Sequence, residues 1–282
     1  MHIAPLLLGA ALVALCVAAV VVTRMTLRRS GHSDGNTRTL ARWSRTTAAT
    51  AGLVAIVLTQ PGVSTRIESA SGVDNLAMLL SHLFGIVSLL AIRVLLVPWT
   101  YPPENWTSAL RFRFAVAGAV AAAVVIIFAV ANSADVAFTN SYAADGGVAA
   151  YLLITDAYWA LVGAFIAWDC APPAIGNIRT GHRMLGTSQA LIAVGGVACA
   201  VWGATEGVFA AIAQAAGGAW SVDLQDMISS CSAGLFALSL FSGITVGSMP
   251  GTVARRRTAA TRRGGSAAVR AGRATTAPRG RA

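Results

Sequence analysis

Apolar runs divide this chain into blocks. Long stretches of Ala, Val, Leu, Ile and Gly recur between short polar gaps. They predict spans at Ile3–Thr23, Thr46–Val63, Leu76–Val97, Phe114–Asn132, Val148–Cys170, Thr187–Gln214 and Asp226–Met249. Several approach or exceed the roughly 20 apolar residues needed to cross about 30 Å of hydrocarbon. The runs do not alternate polar with apolar positions, which excludes a β-barrel and leaves the α-helix as the way to satisfy backbone groups in lipid. The expected fold is therefore all-α: a polytopic membrane protein with seven transmembrane helices in residues 1–250. The second span is the weakest, being short and broken near its end by Gln60-Pro61-Gly62. The gap Ser64–Asn75 reads as a brief amphipathic or re-entrant piece, and no gap has room for a soluble catalytic domain.

Charge then orients the helices. All 21 basic residues are Arg, and they collect in alternate gaps. Arg24, Arg28, Arg29, Arg38, Arg42 and Arg45 follow the first span, and Arg66 stands alone after the second. Arg111 and Arg113 precede the fourth span, Arg179 and Arg183 separate the fifth from the sixth, and nine more lie after Pro250. Under the positive-inside rule this places the N-terminus outside and the C-terminus in the cytoplasm. Arg93, about a turn from the cytoplasmic end of its helix, is expected to snorkel there, so no Arg is left to be buried. The acids agree with this assignment, since Glu68, Asp74, Asp135, Asp145, Asp223 and Asp226 fall in outside gaps or at their edge. The first span has its cations after the apolar run rather than before it, unlike a signal peptide, and is expected to stay as a helix.

Composition supports a bacterial cytoplasmic-membrane protein, 56% hydrophobic and 11% charged. The net charge of +10 belongs mostly to the segment Gly251–Ala282, which is too poor in large apolar residues to build a core and is expected to be disordered. Its Arg255, Arg256, Arg257, Arg262 and Arg263 are candidates for contact with anionic lipid headgroups. Binding to nucleic acid or an acidic protein is the weaker reading, because no aromatics are interleaved with the Arg.

Four stretches carry a resemblance. Gly72-Val-Asp-Asn-Leu-Ala-Met-Leu-Leu-Ser-His82 opens the third helix, and Phe138 to Tyr151 (FTNSYAADGGVAAY) runs into the fifth. Gly181-His-Arg-Met-Leu-Gly186 precedes the sixth, and Gly247-Ser-Met-Pro250 leaves the seventh. Together they resemble an actinobacterial family of seven-helix integral membrane proteins commonly labelled as transporters. Members of that family usually continue past the seventh helix into a cytoplasmic helical domain; here the Arg-rich tail occupies that place.

The chemistry-bearing candidates are the ionisable groups at membrane depth. Asp156 is eight residues from the outer end of its span and Glu206 eight from that of the next, both about 12 Å deep at 1.5 Å per residue. His82 lies six residues into the third span from the same side, or about 9 Å deep. Such a layer could bind a cation or relay protons. The alternative is interhelical glue, in which each group bonds a backbone carbonyl or hydroxyl. Asp169, at the cytoplasmic end of its helix beside Pro172-Pro173, is expected to reach water.

Gly195, Cys199, Gly203 and Gly207 form a small-residue stripe on the sixth helix, and Gly243 and Gly247 a shorter one on the seventh. Packing within the chain is the favoured reading, ahead of a homo-oligomer interface. With no Lys there is no site for a retinal Schiff base, and no P-loop, HExxH or GxSxG pattern occurs. The four Cys form no CxxC and no Cys/His pair at ligand spacing. Neither an enzyme nor a bound metal or cofactor is expected. The leading function is transport of a small solute or ion; the alternative is a non-transporting membrane sensor or scaffold for a cytoplasmic or membrane partner.

Overall fold

The computed structural model describes residues 33–132, 137–218 and 220–247, with side chains from Thr39 onward. The expected first span Ile3–Thr23 and the tail with its five candidate lipid-contacting Arg lie outside the described residues. Within them the chain is helical, with no strand. The long helices are α1 (Ser33–Leu58), α2 (Pro61–Ser71), α3 (Leu76–Thr100), α4 (Trp106–Ala131), α5 (Gly146–Arg179), α6 (Arg183–Ala216) and α7 (Val222–Gly247). Among the described residues, α3 to α7 are each long and apolar enough to cross a membrane, and α1 with α2 makes a sixth if that bent pair is one span.

The break between α1 and α2 follows from Pro61. Proline lacks an N–H and disfavours the α conformation of the residue before it. Gln60 accordingly sits in the extended region (φ −71°, ψ 128°), and α2 leaves at 82° with no buried residue. The expected span Thr46–Val63 thus ends at Leu58, and the following gap holds a short helix.

Several other boundaries differ from those read in the sequence. α4 begins at Trp106 rather than Phe114, so Arg113 is two turns inside it. α5 runs through Pro172-Pro173 to Arg179, beyond the expected end at Cys170. Two successive prolines leave two main-chain carbonyls unpaired, but a helix tolerates that where other donors can reach them. α5 and α6 each have 34 residues, about 51 Å of helix, so the hairpin exceeds about 30 Å of hydrocarbon.

Local chemistry fixes the turns. The Asp145 side chain caps α5 by accepting from the Gly147 and Val148 amides at 2.9 and 3.1 Å. At the same end of that helix pair, Gly217 adopts φ 70° and stops α6 in a left-handed cap. Asn75 Nδ2 donates to Asn132 Oδ1 at 2.9 Å, tying the start of α3 to the end of α4.

α5 and α6 are the closest pair, because small residues remove the side chains between them. A Cβ on Gly163 would meet the Ala200 amide and the Gly196 carbonyl, and one on Gly203 would collide with the Asp156 carbonyl oxygen. The expected α6 stripe is shared between two neighbours: Gly203 and Gly207 face α5, whereas Gly195 faces Phe236 and Leu240 of α7. Cys199 Sγ lies 3.5 Å from the Trp159 carbonyl of α5. Gly243 and Gly247 lie against Ser188 of α6, whose hydroxyl donates to the Gly243 carbonyl at 2.7 Å.

Candidate functional site

The longer helices set Asp156 and Glu206 further from the helix ends than their sequence spans implied. Asp156 is ten residues beyond Gly146 and Glu206 ten residues before Ala216, about 15 Å along each helix. Both are buried, at 7% and 9% exposure. α5 presents Asp156 to α6 at Gly207, where an added Cβ would lie 3.6 Å from the Asp156 Cβ. Glu206 is the neighbour of Gly207, so the two acids lie at one level of the α5–α6 pair.

Their surroundings differ sharply. Glu206 Oε1 accepts a hydrogen bond from the Ser229 hydroxyl of α7. Ser229 in turn receives the Gln225 side-chain amide at 3.1 Å, and Gln225 Oε1 accepts from the Trp220 indole at 2.9 Å. The Trp220 and Gln225 donors point along the relay toward Glu206, and the Ser229 hydroxyl can reach either Glu206 or, at 2.8 Å, the Gln225 main-chain carbonyl. Asp156 Oδ2, by contrast, is buried without a hydrogen-bond partner. Buried polar atoms are nearly always satisfied, so such an atom calls for an explanation.

His82 belongs to a neighbouring group. Its Nδ1 is 2.8 Å from the Tyr151 hydroxyl, and their rings lie 5.4 Å apart. Tyr151 packs edge-on against Phe138, which meets Phe128 at 5.3 Å. The structure therefore engages His82 through Tyr151, at the α3–α5 contact, rather than directly on the carboxyl pair. Below Asp156, Trp159 stacks on Trp202 of α6 at 5.4 Å and fills the space left by Gly85 of α3.

Three participants escaped sequence reasoning. Ser229 and Gln225 are uncharged, and the expected seventh span began at Asp226, which left Gln225 in a gap. Their spacing of four residues on one helix face was the available signal. Tyr151 lay within a motif but was not singled out.

A second polar group lies toward the other end of the bundle. Arg93 Nη1 of α3 is 2.5 Å from Asp169 Oδ2 of α5, and Arg113 Nη2 of α4 is 3.5 Å from the same oxygen. Arg113 also donates to the main-chain carbonyl of Arg93. Expected separately at the cytoplasmic ends of their helices, Arg93 and Asp169 are partners of one another. Arg113, expected in a loop, is buried at 6% exposure. The cause is the early start of α4, which carries this Arg to the level of an acid able to pair with it. The Arg93 guanidinium also sits 5.0 Å over the Phe165 ring, and that of Arg113 5.3 Å over Tyr101.

An open apolar groove of about 530 Å³ runs along α5 and α6 past Ala164, Trp168, Val197 and Ala204, and includes neither carboxyl. Among the described residues no cluster of three or more His, Cys, Asp or Glu could hold a metal ion. Compared with protein-family models, curated proteins and solved structures, the chain matches none.

Proposed function

We propose that this chain is a multi-pass protein of the bacterial cytoplasmic membrane that moves a small solute or ion, with Asp156 and Glu206 as its ion site. The observation that carries this reading is the Asp156 carboxyl, buried at 7% exposure with Oδ2 unpartnered beside a second carboxyl. An ionisable group at such depth is costly to insert, and an unsatisfied one more so. Structural glue would be expected to have its hydrogen bonds made, as Glu206 Oε1 has with Ser229. The arginine pattern supports an orientation in which the site opens nearer the outer face.

The test is a metabolite and ion uptake screen with the full chain reconstituted in liposomes. Once a flux is found, Asp156→Asn and Glu206→Gln should abolish it. Flux that survives both substitutions removes the pair from the mechanism.

A second reading has its own support. The α5–α6 hairpin exceeds the hydrocarbon thickness by about 20 Å, which offers a projecting helical surface to a cytoplasmic partner. On that reading the chain is a non-transporting scaffold. Reconstituted protein would then conduct nothing, and truncating the hairpin tip would abolish capture of the partner.

A further inference from the structure

The nature of the ion follows from what surrounds the two carboxyl groups. Metal-cation sites in transporters draw carbonyl oxygens from unwound stretches of broken helices. Here α5 and α6 are continuous helix through Asp156 and Glu206, so their main-chain carbonyls are committed to intrahelical bonds. Ca²⁺ takes about six or more oxygens, and Mg²⁺ held by only two carboxylates must keep several of its waters. The residues on hand supply two carboxyl groups and one hydroxyl. A proton needs only a pair of oxygens.

The hydrogen-bond directions separate the roles of the two acids. Trp220, Gln225 and Ser229 all donate along a chain that ends on Glu206, an arrangement that suits a carboxylate. Asp156 Oδ2 receives no donor. Two unprotonated carboxylates at one helix interface would repel, and a single proton on the undonated one removes that repulsion and the cost of a bare buried charge. Resting on the transport reading above, we propose that the exchangeable ion is a proton, carried by Asp156 and passed to Glu206.

In that transfer an O–H bond breaks at Asp156 and one forms at Glu206, so the pair keeps a net charge of −1 throughout. Ser229 accommodates both states. Its hydroxyl lies within reach of two acceptors, Glu206 Oε1 and, at 2.8 Å, the Gln225 main-chain carbonyl. With Glu206 ionised the hydroxyl donates to it. With Glu206 protonated the hydroxyl turns to the carbonyl and accepts from the acid instead. The titratable groups around Asp156 are Glu206 on α6 and Tyr151 on its own helix, the latter engaged by His82 of α3. α7 contributes only Ser229 and Gln225, which do not titrate.

Infrared difference spectroscopy of the full chain in a lipid film, at neutral pH and with exchange into D₂O, tests this. The expected result is a protonated-carboxyl band that shifts in D₂O, disappears in Asp156→Asn, persists in Glu206→Gln and is unchanged by Na⁺, K⁺ or Mg²⁺. Asp156→Glu should retain a displaced band, which separates loss of the proton from loss of the fold. A band that survives in folded Asp156→Asn overturns the assignment. A band missing at neutral pH, with carboxylate bands that respond to Na⁺, K⁺ or Mg²⁺, overturns the proton but leaves the ion site standing. No band and no response to any of these ions removes the ion site as well.

Discussion

Arg93 and Asp169 meet at 2.5 Å between α3 and α5, and Arg113 of α4 shares the same carboxylate oxygen. Two guanidinium groups around one acid leave an excess positive charge, with side chains only 12% and 5% exposed for Arg93 and Arg113. The faces of Phe165 and Tyr101 lie against the two cations and offset part of that excess. The group joins three helices at one point, on the opposite side of the membrane midplane from the carboxyl pair if the chain spans as proposed.

Asp169→Asn should therefore destabilise the fold strongly. Removing one partner of a buried ion group leaves uncompensated charge and costs about 3–5 kcal/mol. Unfolding in mixed micelles should show the loss. Replacing all three residues together, with Met at Arg93 and Arg113 and Leu at Asp169, should recover much of it. A single Asp169→Asn protein as stable as the parent would show that water, not Asp169, balances these cations.

Gly203→Ala should lower stability by about 1–3 kcal/mol, since the added methyl must displace the α5 main chain at the Asp156 carbonyl. Gly118→Ala is the matched control. It lies within α4 with open space where its Cβ would be, so it should be neutral or slightly stabilising. Thermal unfolding of the two variants side by side reads the difference. Equal behaviour would mean that α5 and α6 are not in close contact at Gly203.

Helix type was readable, as were the five apolar helices α3 to α7, because each is a long apolar run, which is a local signal. The ends were not, and each error has a cause. α5 passes Pro172-Pro173 and α4 starts a full two turns early, because neither decision is made by the apolar run alone. That second misreading hid the ion group: an Arg counted as a loop residue carries no expectation of burial. The carboxyl pair was legible by depth, since helix rise converts position to level. Rotation about the axis was not, so the Glu206–Ser229 bond and the unpartnered Asp156 oxygen emerge only in three dimensions.

Asp145→Ala should cost about 1 kcal/mol, the usual value for losing a side-chain cap. Two amides of the first turn of α5, those of Gly147 and Val148, would lose their acceptor. Asp145→Ser restores an oxygen in the same place and should recover most of the stability. Hydrogen exchange localised to residues 146–149 checks the mechanism. Faster exchange there in Asp145→Ala, with the rest of α5 unchanged, is the expected pattern.

Orientation gives the last prediction, because it decides which compartment the carboxyl pair faces. Ser69 lies on α2 in the Arg-poor gap, and His182 lies between Arg179 and Arg183 at the turn from α5 to α6; both are exposed. In a background with Cys16, Cys170, Cys199 and Cys231 replaced by Ala, Ser69→Cys should react with a membrane-impermeant thiol reagent on intact cells. His182→Cys should react only after permeabilisation. The positive-inside rule makes this the favoured arrangement, as the gap around His182 carries two Arg and no acid. The reverse labelling would put Asp156 and Glu206 nearer the cytoplasm, and any proton they carry would then enter the site from that side.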